Sequence, residues 1–181
     1  MSENILIRAA QPADAERASL LLYSAYIHTQ IMYPPQEAQN QFLDRIQIFF
    51  RKEGNRCSYQ FIQVAELQSE VVGLVLSFGG QDEERLNSAL GWQIGRESKD
   101  DEWYVDALAV FANWSRQGIG TLLLRAAEQQ GLQHRYSRVA LNVAQENAQA
   151  RALYQHLHYI VTAETFLYGQ PHLRMVKQLK A

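Results

Sequence analysis

Between Tyr104 and Thr121 an apolar run carrying one carboxylate leads into a turn carrying two glycines. The run is Tyr104-Val105-Asp106-Ala107-Leu108-Ala109-Val110, and the turn is Ser115-Arg116-Gln117-Gly118-Ile119-Gly120-Thr121. Glycine lets backbone approach a ligand closely and accept torsions other residues avoid. The first N–H groups of a helix have no partner inside it, and the helix dipole adds partial positive charge there. A glycine turn opening a helix is therefore suited to phosphate oxygens. A dinucleotide fingerprint would need a third glycine, but Leu122 and Leu123 follow Gly120, and a P-loop would need Gly-Lys-Ser/Thr, which is absent. Gly118-x-Gly120 alone does not choose between a phosphate cradle and a plain turn.

A carboxylate within an apolar strand is unusual, because burying an unpaired charge is costly. The cost raises the pKa and can make the group a useful base. Period-two alternation puts Glu102, Tyr104, Asp106, Leu108 and Val110 on one face. Asp106 then reads either as a general base or as a hydrogen-bonded structural group, while Glu102, nearer the strand's start, reads as more solvated. About thirty residues on, Leu141-Asn142-Val143 precedes Asn147-x-x-Ala150-x-x-Leu153-Tyr154. Asn147 and Ala150 share a helix face, as do Ala150, Leu153 and Tyr154. Asn147 also suits an N-cap.

The elements that must position these residues follow from periodicity. Residues 4–9 read as a strand. Pro12 suits a first helical position, and Ala15, Ala18, Leu22 and Ala25 follow at helical spacing. That helix should fade before Pro34-Pro35. A second helix covers 40–51 with Phe42, Ile46 and Phe49 on one face. Residues 59–67 and 70–78 read as a hairpin around Gln68-Ser69. Residues 79–101 form a long polar connection, and 102–111 a central strand. Ile119, Leu122, Leu123, Ala126 and Ala127 mark an amphipathic helix. Strand 138–143, helix 147–156 and a closing pair at 159–166 and 173–179 complete the order β-α-α-β-β-β-α-β-α-β-β. With no internal repeat or linker, residues 1–181 read as one domain.

A 181-residue chain can bury a core without staples. A net charge of −2 gives no basic face for nucleic acid. The first ten residues lack a signal-peptide pattern and no stretch approaches a membrane span, so a cytoplasmic protein without membrane partners is expected. Cys57 is alone, which excludes an intramolecular disulfide and a cysteine metal cluster. His28, His134, His156, His158 and His172 show no metal-ligand spacing, so no metal is expected. Trp92, Trp103 and Trp114 read as core.

Taken together, the glycine turn after Leu108-Ala109-Val110 and the Asn147–Tyr154 block resemble the two signature blocks of the GNAT N-acetyltransferase superfamily. The opening Ile-Leu-Ile-Arg segment and the closing Arg174-Met175-Val176-Lys177 strand extend the likeness over nearly the whole chain. Two departures stand out. Ser115 replaces the usual Arg or Gln, and His158-Tyr159 replaces a Gly-Phe pair. The resemblance implies an α/β fold, a mixed, mostly antiparallel sheet of six to seven strands flanked by helices and splayed near Val110. It implies acetyl-CoA as cosubstrate, held by Leu108, Val110, Ser115, Arg116, Gln117, Gly118, Ile119, Gly120, Thr121, Asn142, Asn147, Ala150 and Tyr154. It also implies that Tyr154 protonates the leaving thiolate and that a small-molecule or peptide amine is acetylated. The base stays open between Asp106, Glu102 and a water chain. The acceptor walls would be residues 23–39, with His28, Tyr33 and Pro34-Pro35, and residues 79–101, whose Asp82, Glu83, Glu84, Glu97, Asp100 and Asp101 would form an acidic rim. A homodimer agrees with the family's frequent dimers. A non-catalytic acyl-CoA-binding module is the rival.

Overall fold

The computed structural model describes residues 4–27, 39–91 and 95–180. His28, Tyr33, Pro34, Pro35 and Trp92 lie outside the described residues. The strands are β1 (Leu6–Ala9), β2 (Ile62–Leu67), β3 (Glu70–Gly79), β4 (Trp103–Val110), β5 (Arg138–Ala144), β6 (Ile160–Leu167) and β7 (Gln170–Gln178). The helices are α1 (Ala15–Tyr26), α2 (Gln39–Arg51), α3 (Glu83–Ser88), α4 (Ile119–Gln133) and α5 (Ala148–His156). The strands form one sheet in the order β1-β2-β3-β4-β5-β7-β6, and among the described residues only the β4–β5 pairing is parallel.

Each sheet face carries its own core. On one side α1 and α2 bring Ala18, Leu22, Phe42, Ile46 and Phe50 against Leu74, Leu76, Phe78 and Tyr104. Phe50, not Phe49, joins Phe42 as a fully buried ring of α2. On the other side α4 and α5 bring Ile119, Leu123, Leu124, Ala127 and Tyr154 against Val75, Val105, Leu141 and Met175. Each fully buried Val, Leu, Ile, Phe or Met side chain among these contributes roughly 1.5–3 kcal/mol relative to exposure. The expected hairpin turn is present, with Gln68 and Ser69 both at positive φ, as a two-residue turn matched to strand twist requires.

Three expectations need correction. Residues 59–61 form a 3-10 turn, so β2 begins at Ile62. The connection 79–101 is not patternless, because it contains a 3-10 turn (Gly80–Asp82) and α3. The inward face of α3 consists of Glu83, Leu86 and Asn87. Two of these three residues are polar, which hides the helix from any apolar periodicity.

The third correction concerns alternation along β4. Leu76 pairs with Ala107 and Ser77 with Val105, so Asp106 is an extra residue in a β-bulge. A bulge of this kind flips the faces downstream of it. Tyr104, Ala107 and Ala109 therefore face the α1–α2 core, while Trp103, Val105, Leu108 and Val110 face the α4–α5 core. Pairing of β4 with β5 stops at Val105–Leu141. The sheet opens from Asp106 onward, four residues earlier than Val110.

Candidate active site

The opened edge of β4 forms one wall of two cavities. One, of about 440 Å³, lies between α1, β4, β5 and the end of the β6–β7 hairpin, and is lined by Tyr26, Glu97, Tyr104, Asp106, Asn142 and His172 among others. The second, of about 460 Å³, runs along the glycine turn and is lined by Ser115, Arg116, Gly118, Ile119, Gly120 and Thr121. Leu108, Val110, Asn147, Ala150 and Tyr154 line both. The first therefore adjoins the second at the tyrosine. A larger hollow of about 870 Å³ on the α4 side of β7 contains none of these residues.

The glycine turn is built for backbone donors. Arg116 and Gly118 take positive φ, 61° and 80°, and Gly118 is the N-cap of α4. The first in-register helix bond is from Leu122 N to Gly118 O, at 3.1 Å, leaving the amides of Ile119, Gly120 and Thr121 without helical acceptors. No acidic side chain occupies that first turn. Ser115 turns back, its hydroxyl donating to Ala112 O at 2.8 Å. Residues 115–118 are exposed. Gly120 has a second reason to be glycine, since a Cβ there would sit 3.2 Å from a Leu153 methyl carbon.

Asn147 caps α5, its side chain accepting from Ala150 N at 3.1 Å. At the exit of that helix His158 holds φ 69°. The histidine thus reproduces the left-handed turn a glycine would give, and the chain leaves α5 into β6 unaltered. Tyr154 is buried, which pushes its phenol up to about 12.

Beneath the first cavity lies a buried ion cluster. Arg56, fully buried, pairs with Asp106, with Glu97 at 2.9 Å and with Glu83 at 3.5 Å, and also donates to Asn87 Oδ1 at 2.9 Å. Asp106 Oδ1 accepts from Arg56, and its Oδ2 accepts from Tyr26 Oη at 2.5 Å and from Arg56 Nε at 3.1 Å. Both oxygens of Asp106 are thus held by buried donors. Burial pushes the Tyr26 and Tyr104 phenols well above their usual range, so both are neutral donors at pH 7. Glu102 is not solvated. It is 1% exposed and grips Arg174 through two contacts of 2.5 Å.

Nor is the expected acidic rim a row of open charges. Asp82, Asp100 and Asp101 pair with Arg85, Arg96 and Arg138 near the surface, while Glu83 and Glu97 point inward. Glu83 accepts from the amides of Glu97 and Ser98, and Gly80 accepts from Ser98 Oγ and Arg96. These bonds fix the 95–102 segment, and with it Glu97. Sequence reading gave Glu97 only a place on the rim and gave Arg56 none. Arg56 meets Asn87, Glu97 and Asp106 across 31, 41 and 50 residues of chain, so no local spacing reveals the cluster.

A model of the acetyltransferase (GNAT) family matches residues 22–159. The chain belongs to the GNAT acetyltransferase family. Among solved structures, an N-acetyltransferase from Staphylococcus aureus Mu50 is 25% identical with a TM-score of 0.86, the match covering 95% of this chain and 100% of that one. A second acetyltransferase, also 25% identical, gives 0.80 over 97% and 100%. The yncA structure from Salmonella typhimurium, with its cofactor acetyl-CoA, is 17% identical and shares the fold at 0.64 over 97% and 94%. No curated protein sequence matches. Among the described residues no helix is long and apolar enough to cross a membrane, and no group of three His, Cys, Asp or Glu side chains could hold a metal ion.

Proposed function

We propose that this GNAT protein is a cytoplasmic enzyme that transfers an acetyl group from acetyl-CoA to an amine of a small molecule or peptide, by direct attack and without a metal. One observation carries the reading: two adjoining cavities meet at Tyr154 where β4 and β5 part. A phosphate cradle lies on one side of that tyrosine and carboxylates on the other. Acetyl-CoA, when bound, supplies an acyl thioester. The residues present fit it. The amides of Ile119, Gly120 and Thr121, with Arg116 beside them, suit pyrophosphate oxygens. Leu108 and Val110 stand on the stretch of β4 beyond its β5 pairing, and strand backbone left open there suits the amides of a pantetheine arm. Asn142, Asn147 and Ala150 close the opposite wall. Tyr154 keeps its proton at neutral pH, can hydrogen-bond a sulfur, and can give up that O–H proton to the sulfur as it gains charge, regaining one from solvent.

The test is a thermal-shift titration with acetyl-CoA, followed by measurement of CoA release with a panel of amines. A ligand that binds only the folded state adds about 2.7 kcal/mol at a hundredfold excess over Kd. Stabilisation with amine-dependent CoA release supports the enzyme. Stabilisation without release from any amine supports the non-catalytic binding module, and no shift at millimolar acetyl-CoA removes both.

A further inference from the structure

Glu97 and Asn142 line the cavity between α1, β4 and β5, and each has a buried acceptor atom with no hydrogen-bond partner among the described residues, Glu97 Oε1 and Asn142 Oδ1. The identity of the second is fixed, because Asn142 Nδ2 must face the Glu97 carbonyl oxygen it donates to, at 3.2 Å. Leaving a buried acceptor unpaired costs about 1–3 kcal/mol each, so two together call for an occupant that brings donors. The surroundings set that occupant's charge. Glu83, Glu97 and Asp106 share the single guanidinium of Arg56, while Arg174 is spent on Glu102 and reaches Glu97 only at its carbonyl. Among the described residues the cluster therefore holds more carboxylates than cations. Among amines, a primary or secondary ammonium supplies both the positive charge and at least two N–H donors.

We infer that Glu97 is the general base of the reaction, taking a proton from the acceptor's ammonium at Oε1 while Asn142 Oδ1 holds a second N–H. The inference rests on the transferase reading above and names the base that reading leaves open. In the step, one N–H bond breaks and one O–H bond forms at Oε1. The bonding pair stays on nitrogen, which becomes the nucleophile. Glu97 then passes the proton to solvent.

The other Glu97 oxygen is already positioned. Oε2 accepts from Tyr104 Oη at 3.0 Å and from Arg56 Nη2 at 2.9 Å, and Asn142 Nδ2 in turn donates to Tyr104 at 3.1 Å. Oε1 is the remaining site for a proton. Burial pushes the Glu97 carboxyl up to about 7, opposed by Arg56 and reinforced by Asp106 and Glu83. The groups around it are Tyr26 from α1, Arg56 before β2, Glu83 and Asn87 from α3, Tyr104 and Asp106 from β4, Asn142 from β5, and Arg174 and His172 from β7. A base with a pKa near the working pH is both ionised and strong enough to accept a proton. Asp106, with both oxygens engaged, positions Arg56 in this arrangement.

Carboxyl titration by carbon-13 NMR of the full chain, wild type and Glu97→Gln, tests this without turnover. One glutamate with a midpoint near 7 is expected in wild type and absent from the variant. In wild type, about 100 mM n-butylammonium should move that midpoint down, while tetramethylammonium, which has no N–H, should not. Because this comparison uses wild type alone, it stands even if the variant does not fold. With the best acceptor of the amine panel, Glu97→Gln should lower kcat/KM by about 10²–10⁴-fold and abolish its acid limb near pH 7. Acetyl-CoA affinity, measured by calorimetry, should stay within a few-fold. A midpoint that survives the substitution, no glutamate titrating near 7, or equal responses to the two ammonium ions would overturn the assignment. Failure of wild type to bind acetyl-CoA would instead remove the transferase reading and leave the titration result intact.

Discussion

Burial keeps the Tyr154 phenol protonated across the physiological pH range, so its proton is available whenever a thiolate forms beside it. A hydrogen bond to a neutral thioester sulfur is weak, and one to a departing thiolate is charge-assisted and about twice as strong. Such a contact favours the transition state. Tyr154→Phe keeps the ring and its packing against Tyr159, at 5.9 Å between centroids, and removes only the donor. The expected outcome is a fall in kcat of about 10²-fold with acetyl-CoA affinity within a few-fold. Single-acceptor kinetics at saturating acetyl-CoA measures it, and an unchanged kcat would reduce Tyr154 to a core residue. The place of Tyr154 beside the glycine turn was legible in the sequence because it sits in a compact motif whose members are helix neighbours. Glu97 was not legible as a base. What distinguishes it from the surface acids Asp82, Asp100 and Asp101 is that it turns inward to Arg56, a contact made across 41 residues of chain.

At the scale of elements, most strands and helices could be read because their buried faces are apolar and periodic. α3 escaped because its inward face pairs charge with charge, and the β4 bulge escaped because nothing in Val105-Asp106-Ala107 marks an extra residue. The exit of α5 could be read only as a loss of glycine, whereas His158 keeps glycine's torsion at a cost. A left-handed non-glycine residue costs roughly 1–2 kcal/mol. Glycine's greater freedom in the unfolded chain offsets about 0.4–1 kcal/mol of that. His158 is exposed, so its replacement removes little packing. His158→Gly should therefore stabilise the fold by about 0.5–1 kcal/mol, seen in urea unfolding as a higher midpoint at unchanged slope. A lower midpoint would mean that the imidazole makes contacts worth more than the strain.

At the scale of the molecule, Arg56 joins four parts of the chain: its own segment before β2, α3, the 95–102 segment and β4. Arg56→Met would fill similar space and leave three carboxylates without their shared cation. Breaking a buried pair from one side costs about 3–5 kcal/mol. The cost should depend on pH through Glu97, whose carboxyl holds its proton more tightly folded than unfolded. A group raised in the folded state contributes stability below its unfolded pKa and loses it as pH rises through the folded one, here near 7. Without the opposing guanidinium the folded pKa rises further. The deficit of Arg56→Met should therefore be smaller near pH 5 than near pH 8. Denaturant unfolding at the two pH values measures the difference, and a deficit independent of pH would mean that Glu97 takes no part in it.

The bulge at Asp106 has a genetic counterpart. Deleting that one codon would make Val105 and Ala107 successive residues while every remaining side chain of β4 kept the face it already occupies. To keep its pairing with β3, the strand would gain a continuous two-residue alternation in place of the interruption seen between Leu76 and Ser77. The gap that admits a ligand would then have no reason to open, and Arg56 would lose one of its three anions. In a scan of single-codon deletions, position 106 should thus behave unlike an ordinary strand residue, with the sheet repaired and the activity lost.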